Sequence, residues 1–181
     1  AMPLCTLDAT EFMHPHAFPE ILHLEDPAMQ GMVDYTLMGL ETVSADASID
    51  DALLEMKQRD RRILLVMDNE HQLIGMITAE DIQGSKPYKI MEEKRVKRGD
   101  IHVRSLMIPK DKIAALNLSD VHHAKVGHII ATMNESGQHF ILVQETDTHT
   151  NKPVIRGLFS ASRINKVLGP VVASIGEAHS I

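Results

Sequence analysis

Self-similarity constrains this chain more than any other feature of its 181 residues, because a supersecondary unit that occurs twice dictates the architecture before any single residue is interpreted. In the first copy Ser48 opens a helical pattern in which Ile49, Ala52, Leu53 and Met56 fall at i, i+3, i+4 and i+7; in the second, Val126, Ile129, Ile130 and Met133 repeat that spacing. Each helix runs into an apolar strand, Ile63 to Met67 and Phe140 to Val143. A polar turn follows, then a second strand, Leu73-Ile74-Gly75-Met76-Ile77 or Val154-Ile155-Arg156-Gly157-Leu158-Phe159, and a short helix from Thr78 or Ser160.

The offsets support this alignment. Ile49 and Val126, Met56 and Met133, and Val66 and Val143 are all 77 positions apart, whereas Gly75 and Gly157 are 82 apart. The five extra residues fall in the second hairpin, between Thr146 and Pro153, whose composition is that of a surface insertion. With a first short strand near Glu41 to Ser44 or Ala114 to Leu118, each unit reads β-α-β-β-α. Its sheet has one face covered by its own helices and one left apolar, so the α/β (α+β) units are expected to pack together through their sheets with pseudo-two-fold symmetry. The expected organisation is an N-terminal arm over 1–32, a first repeat over 33–85, a basic helical linker over 86–104, a second repeat over 105–168 and a tail over 169–181. The arm holds Pro3, Pro15, Pro19 and Pro27 and reads as extended, with one helical turn around Pro19 to Leu24.

Composition narrows the function classes. The longest apolar run, Ile63 to Met67, is far short of the ~20 residues that cross a bilayer, so no membrane partner is expected. Ala1-Met2-Pro3-Leu4-Cys5 lacks the layout of a secretory leader, and the single cysteine, Cys5, forms no internal disulfide; both fit a cytoplasmic protein. A formal charge of −7 argues against nucleic acid as the main partner. The basic run of Lys86, Lys89, Lys94, Arg95, Lys97 and Arg98 is diluted by Glu92 and Glu93 and reads as a solvated helix.

The strings Gly75-Met76-Ile77-Thr78-Ala79-Glu80-Asp81 and Gly157-Leu158-Phe159-Ser160-Ala161-Ser162-Arg163 place a Gly, two apolar residues and a Thr or Ser in the same local context twice. In this doubled form the chain resembles the cystathionine-β-synthase (CBS) domain family in its tandem arrangement, the Bateman module, over roughly 33–168. The stretch from Asp26-Pro27-Ala28 through Asp34 also looks like the lead-in of bacterial stand-alone CBS-pair proteins. The resemblance implies a regulatory module without chemistry of its own, requiring no cofactor and binding an adenosine-containing ligand such as AMP, ADP, ATP or S-adenosylmethionine in clefts between the repeats. It also implies a homodimer whose geometry is read by a downstream protein.

The first implied site centres on Thr78 and Asp81, with Met76 in the same string. A carboxylate accepts hydrogen bonds from two ribose hydroxyls, and the amides opening the next helix suit a phosphate. The residues by themselves leave a second reading open, since Thr78-Ala79-Glu80-Asp81 is also close to a capping box. By resemblance the adenine side falls on Ala115, Asn117 and Leu118 and on Gln138 and His139 of the second repeat.

The second implied site departs from the pattern. Arg163 stands where a ribose-binding acid is expected and, being a pure donor, cannot accept from hydroxyls. The expectation is a degenerate site in which Arg163 pairs with Glu41 across the cleft. The alternative is a phosphate clamp built from Arg163, Ser160 and Ser162 beside Arg61 and Arg62.

Other constellations carry less. His122, His123 and His128 form the densest histidine group, but no metal-ligand spacing is present and they are expected to face solvent; His14-Pro15-His16 reads as part of the arm. With no nucleophile elbow and no Gly-rich phosphate loop, the chain is not expected to be an enzyme. A ligand-free dimerisation or docking scaffold is the competing reading.

Overall fold

A computed structural model describes residues 2–10 and 18–170. His14-Pro15-His16 and nearly all of the expected tail lie outside the described residues.

The chain begins its first unit with a two-residue strand β1 (Val33–Asp34) and a turn of helix α1 (Tyr35–Met38). Then come β2 (Thr42–Ser44), α2 (Ile49–Gln58), β3 (Ile63–Met67), β4 (Leu73–Thr78) and α3 (Ala79–Gln83). Helix α4 (Lys86–Lys94), α5 (Val103–Leu106) and the short strand β5 (Ile108–Pro109) lead to the second unit. That unit comprises β6 (Ala114–Asn117), α6 (Leu118–Val121), α7 (Val126–Ser136), β7 (Phe140–Thr146), β8 (Pro153–Ser160) and α8 (Ala161–Val167).

Local chemistry accounts for the helix boundaries. Ser48 Oγ accepts from Asp51 N–H at 3.1 Å and so caps α2; Thr78 Oγ1 accepts from Asp81 N–H at 3.1 Å and caps α3. At α7, the Lys125 N–H donates to His128 Nδ1 at 3.0 Å, a capping role that the sequence did not single out for this exposed histidine. Its end is marked by Gly137 at φ 69°, a left-handed stop that glycine adopts without steric cost.

Strands β2 and β3 run parallel around the α2 crossover, and β4 returns antiparallel; β6, β7 and β8 repeat that arrangement around α7. Side chains alternate along every central strand. Leu64 and Val66 of β3 and Ile77 of β4 face α2 with Ile49, Ala52, Met56 and Ile82, while Leu65 and Met76 face the other way. Ile141, Val143 and Phe159 face α7, while Leu142 and Leu158 turn away from it. The residues that turn away meet one another and Val33 in a third cluster, so the two units join through their sheets. Each such fully buried side chain contributes roughly 1.5–3 kcal/mol relative to exposure, so this inter-sheet layer of five buried residues is a smaller core than either helix-facing one.

The edge strands are exchanged. Val33–Asp34 pairs antiparallel with β8, completing the second unit's sheet, and Ile108–Pro109 pairs with β4, completing the first. Glycine permits both approaches. A Cβ on Gly75 would lie 2.6 Å from the Ile108 carbonyl oxygen and 2.6 Å from the Met107 sulfur. One on Gly157 would lie 2.6 Å from the Val33 carbonyl oxygen and 2.6 Å from the Met32 sulfur. The repeated glycine is thus a steric requirement of the exchanged strand.

The expected helical turn at Pro19 to Leu24 is not formed. Leu22 instead bridges to Leu168, its N–H donating to Val167 O at 2.8 Å and its carbonyl accepting from Gly169 N–H at 2.7 Å, and the turn of 3-10 helix lies at Ala28–Gly31. Burial decides the matter, because Leu22, Ala28 and Met32 are at most 1% exposed and belong to the second unit's core. The expected linker helix forms as α4, and Arg98 beyond it ties back to Asp50 at 3.0 Å and to Ile82 O at 3.1 Å.

An ion pair fixes β1 in place. Arg156 of β8 grips Asp34 through Nε to Oδ1 at 3.1 Å and Nη2 to Oδ2 at 3.2 Å, and also meets Glu145 at 3.3 Å. Thr36 donates to Asp34 Oδ1 through its N–H at 3.0 Å and its hydroxyl at 2.6 Å. Burial is the largest influence on this carboxyl and opposes its charge, but the bonds from Arg156 and Thr36 together outweigh it and hold the pKa below the ordinary value.

Two outcomes are expected. Gly75→Ala lowers stability by about 1–3 kcal/mol, seen as a lower urea midpoint at unchanged slope; an unmoved midpoint would show that the edge strand yields freely. Asp34→Asn costs about 1–3 kcal/mol at neutral pH. Because the folded pKa is depressed, the gap between wild type and variant holds above the ordinary carboxyl pKa of 3.8 and closes as pH falls below it. A gap that persists into strong acid would mean that the Asp34 charge contributes nothing.

Candidate functional site

Two cavities lie at the joint between the units. Each takes the end of one unit's second central strand with the helix that follows, and the entry to the other unit's first central strand. The first has a volume of about 430 Å³ and is lined by Thr78, Glu80, Asp81 and Lys86 from one side and by Gly137, Gln138, His139 and Phe140 from the other, with Ile108 and Ser162 between them. Thr78, Asp81, Gln138 and His139, separated by up to 61 positions in the chain, therefore line one cavity.

Of the two readings of Asp81, half of the capping box is present. Thr78 caps α3, but the Asp81 carboxylate does not return to the backbone at Thr78; its Oδ1 lies 3.1 Å from Lys86 Nζ. The Asp81 side chain is 20% exposed, enough to meet a ligand in the cavity and shielded enough for its hydrogen bonds to count. Lys86, read from sequence as one of a solvated basic run, is delivered by the first turn of α4 and was missed as a cavity residue. With five residues, α3 has too little aligned backbone for the phosphate-favouring helix end that the sequence reading expected.

Four expected contacts lie elsewhere. Met76 is sealed between the sheets, Leu118 is buried in the second unit's core, and Ala115 and Asn117 sit exposed on β6, with Asn117 Oδ1 accepting from Gln144 Nε2 at 3.1 Å. The registers show how the two units differ around β6. Thr42 pairs with Leu65 and Ala115 with Leu142, so the first strands correspond at an offset of 73 positions while the second strands correspond at 77. The extra four residues are α6, Leu118–Val121, an insertion with no counterpart between β2 and α2. Its two apolar residues, Leu118 and Val121, are spaced to enter the core, a signal the sequence contained.

The second cavity has a volume of about 470 Å³, and all six residues expected of it, Glu41, Arg61, Arg62, Ser160, Ser162 and Arg163, line it. The expected pairing of Arg163 with Glu41 is not made. Glu41 Oε2 accepts from Arg59 Nη1 at 2.6 Å, and Oε1 lies 3.8 Å from Arg61 Nε. Arg163 instead lies over the Phe18 ring at 5.0 Å from its centroid, a cation–π contact. Burial first, and the like charge of Arg61 second, push its pKa below the ordinary guanidinium value. Tyr35 and Lys166 also line this cavity, and burial pushes the Tyr35 phenol up to about 12. Phe18, Tyr35 and Lys166 lie outside the repeated signature strings, which is why the repeat did not reveal them.

The cavities communicate. Ser162 lines both, and Arg62 of the second cavity bonds Glu80 of the first at 2.9 Å. His122 and His123 are exposed, as is His128.

Residues 34–85 match the family model described as CBS domain. No curated protein matches the chain. Among solved structures it is similar to an uncharacterized conserved protein from Pyrococcus horikoshii, with 20% identity, a TM-score of 0.52, and coverage of 79% of this chain and 92% of that one. A hemolysin-like protein containing a CBS domain, from Oenococcus oeni PSU, shares 18% identity over 81% of this chain and 93% of its own, with a TM-score of 0.51. CBSX2 in complex with AMP shares 16% identity over 78% of this chain and 94% of its own, with a TM-score of 0.50. At these identities the likeness is one of fold. Residues 34–85 thus match the CBS-domain model, and the chain as a whole has the fold of a tandem CBS pair.

Proposed function

We propose that this chain is a non-catalytic regulatory module that senses an adenosine-containing ligand, AMP, ADP, ATP or S-adenosylmethionine, in the cavity of Thr78 and Asp81. One observation carries the reading: the Asp81 carboxylate faces a cavity built from both repeats instead of closing back onto its own helix. A carboxylate so placed accepts from both hydroxyls of a ribose, and Lys86, now its partner at 3.1 Å, supplies a cation for a phosphate on the same ligand. The volume of about 430 Å³ lies in the range of small-molecule sites. The AMP complex of CBSX2, a protein of the same fold, supports the ligand class.

The ligand acts by favouring one arrangement of the repeats, at 33–85 and 105–168, or of two chains in a homodimer, and a downstream protein reads the difference. It shifts that equilibrium only by its difference in affinity for the two arrangements. A docking scaffold without ligand is the second reading, favoured by the ion pair with Lys86 that already satisfies Asp81.

Isothermal titration with the four ligands separates the readings. At least one is expected to bind, and Asp81→Ala is expected to weaken it tenfold or more, about 1.4 kcal/mol. Unchanged affinity in the variant removes Asp81 from the site, and no binding or thermal stabilisation by any of the four leaves the scaffold.

A further inference from the structure

The second cavity is walled in part by a segment that belongs to neither repeat. Phe18, Pro19 and Glu20 of the arm line it, whereas no residue of the arm lines the first cavity. The arm is held differently along its length. From Leu22 onward the backbone ties it down: Leu22, fully buried, donates to Val167 O at 2.8 Å and accepts from Gly169 N–H at 2.7 Å. Leu24, Asp26 and Ala28 then bond residues 124–127 at the start of α7, each at 2.9 Å. Residues 18–21 make no backbone hydrogen bond with the described residues. Phe18 supplies their contact with the cavity, its ring 5.0 Å from the Arg163 guanidinium and packed against both the second unit's core and the inter-sheet layer.

We propose that residues 18–21 are a strap that closes the second cavity by laying Phe18 on Arg163, and that the cavity opens when this tip swings out about Leu22. A segment fixed at one end by directional bonds and held at the other by one ring releases locally, because its tip leaves without breaking the bonds at the anchor. The guanidinium of Arg163 has no hydrogen bond or ion pair with the described residues, so the ring is its partner while the strap is down and water replaces it when the strap is up. Pro19 fixes its own φ and restricts Phe18 to extended backbone, so the two move together and the hinge falls on Glu20 and Ile21, both exposed. The arm thus makes entry to one cavity conditional and leaves the other free of it. This inference concerns access, holds for any molecule that enters, and rests on no role for Asp81.

The test compares thiol labelling in the two cavities of the full chain. Thr78 and Ser160 stand at equivalent positions of the repeats, both are buried, and each lines its own cavity. Ser160→Cys or Thr78→Cys is introduced with Cys5→Ser, so that the new thiol is the single one, and its reaction with methyl methanethiosulfonate, a small uncharged reagent, is timed. Phe18→Ala is expected to speed labelling at position 160 by about tenfold or more and to leave the rate at position 78 unchanged. Phe18→Tyr, which keeps a ring over the cation, is expected to restore the slow rate. Nitration by tetranitromethane covers the case in which Ser160→Cys does not fold. The chain has two tyrosines, Tyr35 on the second cavity and the exposed Tyr88, and Phe18→Ala is expected to speed modification of Tyr35 alone. An unchanged rate at position 160 or at Tyr35, or an equal rise at position 78 or at Tyr88, which would mean a general loosening of the fold, overturns the proposal.

Discussion

The exchange of two-residue edge strands governs this structure. Each sheet ends on a strand that precedes the other repeat, and each approach is possible only because a glycine leaves room for a carbonyl oxygen and a methionine sulfur. The exchange binds the repeats into one body more firmly than the apolar layer between the sheets would alone, because hydrogen-bond register is directional and apolar contact is not. It also shapes the clefts: Val33 and Ile108, both on exchanged strands, each form a wall of one cavity. The clamp of Arg156 on Asp34 secures one of these strands and, through it, the placement of Tyr35 beside the second cavity.

Pseudo-symmetry makes the differences between the two cavities informative. Equivalent backbone positions carry Asp81 and Arg163, Gln138 and Arg61, His139 and Arg62, Gly137 and Asp60. One cavity holds Glu80 and Asp81 with the single lysine Lys86, whereas the other gathers Arg61, Arg62, Arg163 and Lys166 with Glu20, Glu41 and Asp60. Since the frame is common to both, the contrast lies in side-chain chemistry. Ser162 lines both cavities, and the bond between Arg62 and Glu80 joins their walls.

Legibility in the sequence followed the range of the interaction. The helices and central strands were readable because their periods are local, as with Ile49, Ala52 and Met56 on α2 or the alternation along β3. The pairing of Thr78 and Asp81 with Gln138 and His139 was readable because it rests on the doubled motif. Ala115, Asn117 and Leu118 were misplaced because whether a residue at the sheet edge faces a cavity, solvent or the core is set by how β6 and α6 pack, which the resemblance does not specify. Lys86, Phe18 and Tyr35 were missed because nothing in their own neighbourhood marks them as cavity residues.

By itself, the amino-acid order determined that two equivalent units exist, where their helices and strands run, and that an acid in one answers to a base in the other. Those properties are written in spacing and residue type, which are features of the chain alone. Only the tertiary structure decided that the lead-in of each repeat completes the opposite sheet, that Glu41 goes to Arg59 and leaves Arg163 to Phe18, and that Lys86 faces Asp81. Such choices among partners depend on which side chains arrive within a few ångströms of each other, and charge and hydrogen-bond energies separate the candidates only once that distance is set.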